Sequence, residues 1–190
     1  LNTMNQKDNT LQENEQYRVL TLYNSMVVQS FLELDENQIE DLVLRMEVIS
    51  KKINDRIFES ISSEMLIFFI TGIQLLLQNE CLTKAQCQKY LEVLKVIEVE
   101  KSIKLDHGTT ASLLLVLAIL GIKTDNITFA EESILRAVQF ADSECIPSII
   151  KAIILQVAAE ILWMNGQDNS VKNYLERTLL QIDNILCSYI

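Results

Sequence analysis

The chain has 190 residues, of which only 4 are Gly and 1 is Pro, where average usage would give roughly 13 and 9. Sheets, hairpins and irregular loops rely on those residues to turn the chain, so the shortage speaks against β-sandwiches, barrels and Gly-loop nucleotide folds. Hydrophobic residues make up 49% and the net charge is −10, which argues for a folded core and against binding phosphate backbones or anionic lipid.

The charge is evenly spread, with 14 acids and 9 bases in residues 1–95 and 12 and 7 in residues 96–190. The densest basic cluster, Lys51-Lys52 with Arg56, lies among Glu47, Asp55 and Glu59 and reads as a solvated helix face. Cys81, Cys87, Cys145 and Cys187 form no C-x-x-C pair and His107 is the single imidazole. That set is too sparse for structural zinc and fits free thiols in a reducing, cytoplasmic setting. The longest apolar run, Leu113–Ile122, is half the ~20 residues a membrane span needs. Leu1–Glu15 lacks the basic and apolar regions of a signal peptide. A start at Leu1 is expected of a fragment or a processed chain.

In chain order, residues 1–12 are expected to be poorly ordered and residues 13–190 to form one helical domain. Tyr17, Leu20, Met26, Val27 and Phe31 mark an amphipathic helix over about Glu13–Leu34. Asp35 and Gln38 form a capping signature for a second helix through Ile39, Leu42, Met46, Ile49 and Ile53. A third, about Ser62–Gln78, carries Met65-Leu66-Ile67-Phe68-Phe69-Ile70 and is expected to be largely buried. Thr83 with Gln86 caps a fourth, whose apolar face is Cys87, Tyr90, Leu91, Leu94 and Ile97. Asp106-His107-Gly108 reads as a turn into a fifth helix, Thr110–Leu120, apolar on every side and ended by Gly121 at a C-cap. Thr128 with Glu131 reads as the box of a sixth, ending near Asp142–Glu144. Pro147 suits the first turn of a seventh, which runs to Asn165 and stops at Gly166. Ser170 reads as the cap of the last helix, with Tyr174, Leu179, Ile182 and Leu186.

The expected fold is therefore all-α: about eight antiparallel helices, arranged as α-solenoid or tetratricopeptide-like αα-hairpin repeats or as a layered bundle. Thr128 and Ser170 lie 42 residues apart, close to HEAT-like spacing. The helix Ser148–Met164 also has two apolar flanks, Ile150, Val157 and Ile161 against Ala152, Ala159 and Trp163, as expected of a helix packed on both sides.

Chemistry is poorly supplied. Any Ser–His or Cys–His nucleophile would have to use His107, the four glycines are too far apart to cradle a phosphate, and no Glu-x-x-His pair suits a di-metal bundle. No catalytic, cofactor or metal residue is assigned, and the expectation is a binding protein that is not an enzyme. Gln74, Gln139 and Gln156 interrupt otherwise apolar helices, as amides that grip a peptide backbone would, or as boundary glutamines facing water. Trp163 and Tyr174 are candidate groove anchors or core residues. The partner is then a short peptide or a protein, with no direct nucleic-acid or membrane contact. The last helix, around Leu179, Ile182 and Leu186, reads as a dimer seam or as the last layer of the core.

Leu82-Thr83 through Gln86 to Tyr90-Leu91, Ala130-Glu131 through Leu135 to Ala137, and Gly166 through Tyr174-Leu175 resemble the regulatory domain of Rgg/GadR/MutR-type regulators of Gram-positive bacteria, over about residues 60–188. The resemblance implies a cytoplasmic homodimer that binds a short imported peptide on a concave face and controls an attached DNA-binding domain. The sequence departs from the family's pattern in having no N-terminal helix-turn-helix and no Trp-Gly-Tyr-Tyr-like segment after Tyr90-Leu91, and no site residue is carried over. A helical adaptor or scaffold for a protein partner, including an effector or immunity protein, is the alternative.

Overall fold

A computed structural model describes residues 35–56, 61–100, 105–142, 146 and 148–187. Among them are seven helices and no strand. The expected helix over Glu13–Leu34, the segment 1–12 and Pro147 lie outside the described residues.

Capping starts most of these helices. Asp35 accepts a hydrogen bond from the Gln38 N–H and Gln38 answers to the Asp35 N–H, opening α1 (Glu36–Asn54). Lys51 and Lys52 fall in its last turn, where positive charge suits the helix dipole. Ser62 caps α2 (Ser63–Gln78), and Thr83 with Gln86 forms the reciprocal box of α3 (Lys84–Val99). These starts match the sequence reading.

Three of the later starts do not. Asp106 is an N-cap, accepting from both the N–H and the hydroxyl of Thr109, so His107 and Gly108 are the first residues of α4 (His107–Lys123) rather than a turn. Asn126, not Thr128, caps α5 (Ile127–Ala141) by accepting from the Phe129 N–H. The last helix, α7 (Asp168–Cys187), begins two residues before Ser170, which therefore sits in its first turn. Between them, α6 spans Ser148–Met164.

Gly121 also has a different role from the one expected. It lies inside α4, which continues to Lys123 with Thr124 at the C-cap. A Cβ there would come within 3.0 Å of the Ala130 Cβ and 3.2 Å of its backbone, so the glycine lets α5 approach closely. Gly72 does the same where α2 crosses Met46 of α1. The chain leaves α2, α4 and α6 through three like turns, with Glu80, Asp125 and Gly166 in the left-handed region. In each turn that residue's N–H and the next one bond back to the helix end: Glu80 to Leu77 and Cys81 to Leu76, Asp125 to Ile122 and Asn126 to Gly121, Gly166 to Trp163 and Gln167 to Leu162. This is the Schellman pattern.

Each helix packs on neighbours one or two places away in sequence. The closest pairs are α6 with α7 and α4 with α5; α1–α3, α2–α4 and α4–α6 also touch. One apolar core results, with α4 at its centre, where every residue from Ala111 to Ala118 is buried. That explains the apolarity all round this helix, which is too short to span a bilayer. No helix among the described residues is long and apolar enough to cross a membrane. On α6 both expected flanks are buried at Ile150, Ile161, Ala152 and Ala159, but Trp163 is 68% exposed.

Candidate binding surfaces

On a helix of 3.6 residues per turn, a stripe facing the core leaves two lateral flanks and an outer face. The flanks of α1, α3, α5 and α7 carry a recurring arrangement. Glu47 of α1 pairs with Lys89 of α3. Glu98 of α3 pairs with Arg136 of α5. Asp142, at the end of α5, pairs with Arg177 of α7 at 2.6 Å. In every case the earlier helix supplies the acid and the later one the base, at sequence separations of 42, 38 and 35 residues. Cations on aromatic faces add to the row: Lys95 of α3 lies 4.7 Å from the Phe129 ring centre on α5. Arg177 lies 5.6 Å from that of Tyr174 on its own helix. The turns are linked too, by Lys84 with Asp125 and by Glu131 accepting from Asn165 and Gln167.

Two groups in these contacts have displaced acidities. Burial pushes the Tyr90 phenol well above its usual value, and the Glu47 carboxylate, 3.5 Å from its hydroxyl, pushes the same way by charge and hydrogen bond. Burial raises the Cys87 thiol, opposed by the charge of Lys123. Both changes favour the neutral form and leave a weak nucleophile. Tyr90 also meets Phe69 edge to face at 6.1 Å, joining α3 to α2. His107 meets Phe140 edge to face at 5.6 Å, tying the start of α4 to the end of α5.

Among the hollows that the described residues form on the surface are two. One, of about 490 Å³, lies between α3, α4 and α5 and is lined by Ile97, Leu105, Leu113 and Leu114, with Glu98, Thr110 and Arg136 as its polar groups. The other, about 310 Å³, is a shallow depression of Leu44, Arg45, Val48, Ile49 and Phe68 on α1 and α2. Large apolar side chains are exposed at Leu44 and Val48 on α1, at Trp163 and Met164 ending α6, and at Leu175, Leu179, Leu180 and Ile182 on α7.

The five candidate residues from the sequence fall in different settings. Gln74 is buried in α2. Gln139 is exposed on α5, and Gln156 is exposed on α6, where its amide donates to Glu160 one turn on. Trp163 is exposed at the end of α6, and Tyr174 is half-buried against the core with Arg177 over its ring. None of the five lines either hollow. The paired residues Glu47, Lys89, Glu98, Arg136, Asp142 and Arg177 are not among the candidates the sequence offers. Their signal in the sequence is the 35–42-residue separation, close to one hairpin unit. Among the described residues no three His, Cys, Asp or Glu side chains come together as a metal set. Cys81, Cys87 and Cys187 are free thiols.

No protein-family model matches this chain, and searches of curated proteins and of solved structures return no match.

Proposed function

We propose that the chain is a non-enzymatic stack of αα-hairpins of the α-solenoid type, acting as a scaffold that binds another polypeptide. The observation that carries this reading is the row of acid–base pairs, Glu47–Lys89, Glu98–Arg136 and Asp142–Arg177. Within those three pairs the acid always comes from the earlier helix, as repeated units in one orientation would give, while the turn pair Lys84–Asp125 runs base first. The three like turns at Glu80, Asp125 and Gly166 support it. Helical stacks of this kind present extended surfaces to proteins and peptides, and the exposed Trp163 is the type of side chain that anchors such contacts.

A second reading is favoured by the hollow between α3, α4 and α5. Its size and its mixed lining of apolar and polar groups suit one or two side chains of a short peptide. In that form the domain senses a peptide signal in the cytoplasm and acts, as a homodimer, on an attached DNA-binding domain. A thermal-shift panel of short hydrophobic peptides separates the two. Saturable stabilisation that disappears in Thr110→Phe, which fills the hollow, supports the peptide sensor. Stabilisation that survives the substitution puts the peptide site elsewhere, and none across the panel leaves the scaffold.

A further inference from the structure

The acids of the row, Glu47, Glu98 and Asp142, each meet a base on another helix. Two acids at the C-terminal end of α6 are held differently. Glu160 accepts from the Gln156 amide one turn earlier on α6. Glu131, near the start of α5, accepts from the amides of Asn165 and Gln167, which follow α6 directly. A neutral amide orients a carboxylate without cancelling its charge. Among the described residues neither acid forms an ion pair. The nearest bases in sequence to Trp163 are Lys151 and Lys172, and Lys172 reaches Glu176 of its own helix at 3.7 Å. The last turn of α6 holds no base either, so the negative end of the helix dipole adds to the two carboxylates.

Along the chain, between Glu160 and the two amides that hold Glu131, stand Trp163, 68% exposed, and Met164, 51% exposed. Trp163 follows Glu160 by three residues, which makes the two neighbours on one helix face. An open indole and an open thioether thus share the end of one helix with negative charge that nothing described neutralises.

We propose that this corner anchors the partner polypeptide, and that the partner brings a cationic, apolar segment to it. An Arg or Lys side chain lies over the Trp163 ring beside Glu160, and an apolar neighbour lies on Met164. Indole attracts a cation more strongly than the other aromatic rings, and a thioether adapts to side chains of varied shape. The net charge of −10 steers a basic segment toward the chain, whereas an acidic one meets like charge. This inference rests on the reading of the chain as a scaffold for another polypeptide and specifies that polypeptide's chemistry.

Trp163 is the single Trp of the chain, so its emission reports on this corner alone. The full chain is titrated with a short peptide rich in Arg and Leu, and with the same peptide carrying Glu in place of Arg. Trp emission is followed alongside calorimetric Kd. The Arg peptide is expected to change the emission saturably and the Glu peptide to leave it unchanged. Trp163→Ala is expected to weaken the Arg peptide's Kd about tenfold or more. Glu160→Gln weakens it as well, while Glu40→Gln, which removes an exposed acid of α1, does not. Equal affinity for the Glu peptide overturns the proposal, as does an effect of Glu40→Gln as large as that of Glu160→Gln, because net charge alone would then explain binding. Calorimetric binding with unchanged emission overturns it too and puts the scaffold's site elsewhere, and so does the absence of binding by both peptides. The scaffold reading is checked separately by Tm. If Asp142→Arg rescues Arg177→Asp while no peptide binds, the repeated pairing stands and the Trp163 anchor falls; if that rescue fails, the repeated pairing falls whatever Trp163 binds.

Discussion

Two glycines inside helices allow one substitution to be tried in two settings. Replacing a mid-helix Gly by Ala is worth up to about 1 kcal/mol from backbone entropy alone. At Gly121 the new methyl would stand 3.0 Å from the Ala130 Cβ and 3.2 Å from its Cα and N. These atoms belong to α5 itself and cannot rotate away, so α4 and α5 must separate by a few tenths of an ångström along one of the closest helix pairs. Overpacking of this kind costs about 1–3 kcal/mol, leaving Gly121→Ala a net loss of ~0–2 kcal/mol once the propensity gain is counted. At Gly72 the obstructing atoms are the Sδ and Cε of Met46, each 2.8 Å away. That flexible thioether end can swing, so Gly72→Ala should fall within ~1 kcal/mol of wild type. Urea melts followed by circular dichroism measure both. For a chain of this size each kcal/mol moves Tm by about 2–4 °C. Gly121→Ala proving as stable as Gly72→Ala, or more so, would refute the close approach of α4 and α5.

The caps and the buried phenol supply further tests. Asn126→Ala should cost about 1 kcal/mol, because it removes the acceptor for the Phe129 N–H. Thr128→Ala, already within α5 and exposed, should change stability by less than ~0.5 kcal/mol, and the reverse ranking in urea melts would restore Thr128 as the cap. The folded-state acidity of Tyr90 is raised, so the folded chain holds its phenolic proton at pH values where the unfolded chain has lost it. The stability this group contributes is complete below about pH 10, the ordinary phenol value, and drains away above it at up to ~1.4 kcal/mol per pH unit. Tyr90→Phe should flatten that alkaline limb at a cost of under ~1 kcal/mol near pH 7, since the bond to Glu47 is long at 3.5 Å. An alkaline limb unchanged in the variant would assign the loss to other groups.

Periodicity made the helices legible because burial on one face imposes it, and Asp35–Gln38 and Thr83–Gln86 were legible because both halves of the box are local in sequence. Asn126 and Thr128 illustrate the limit. Either side chain can satisfy a first-turn N–H at similar free energy, so the choice falls to packing between α4 and α5. The turn read at Asp106-His107-Gly108 fails for a related reason. Asp and Gly favour turns and helix starts alike, and only the two bonds from Thr109 decide. The candidate site was less legible still. Gln74 lies on a helix covered almost all round, and a glutamine there has the same local sequence whether it faces water or is buried. The pairs at 35–42 residues depend on inter-helix register, to which no local signal points.

The scarcity of glycine acquires a physical meaning from the turns. A left-handed residue ends α1, α2, α4 and α6, yet only Gly166 of the four is glycine; Arg56, Glu80 and Asp125 fill the other places. Each of these side chains is held in a conformation that costs roughly 1 kcal/mol relative to glycine. At Asp125 the carboxylate pairs with Lys84, so the position does something glycine could not. Meanwhile Gly72 and Gly121 sit where helices cross, at positions where conformational freedom is a liability and only the missing Cβ matters. The chain thus places two of its four glycines for close approach and lets charged residues turn three of these four corners. That distribution suits the proposed stack, in which helix-to-helix distance would carry the fold and turn residues such as Asp125 would tie one layer to the next.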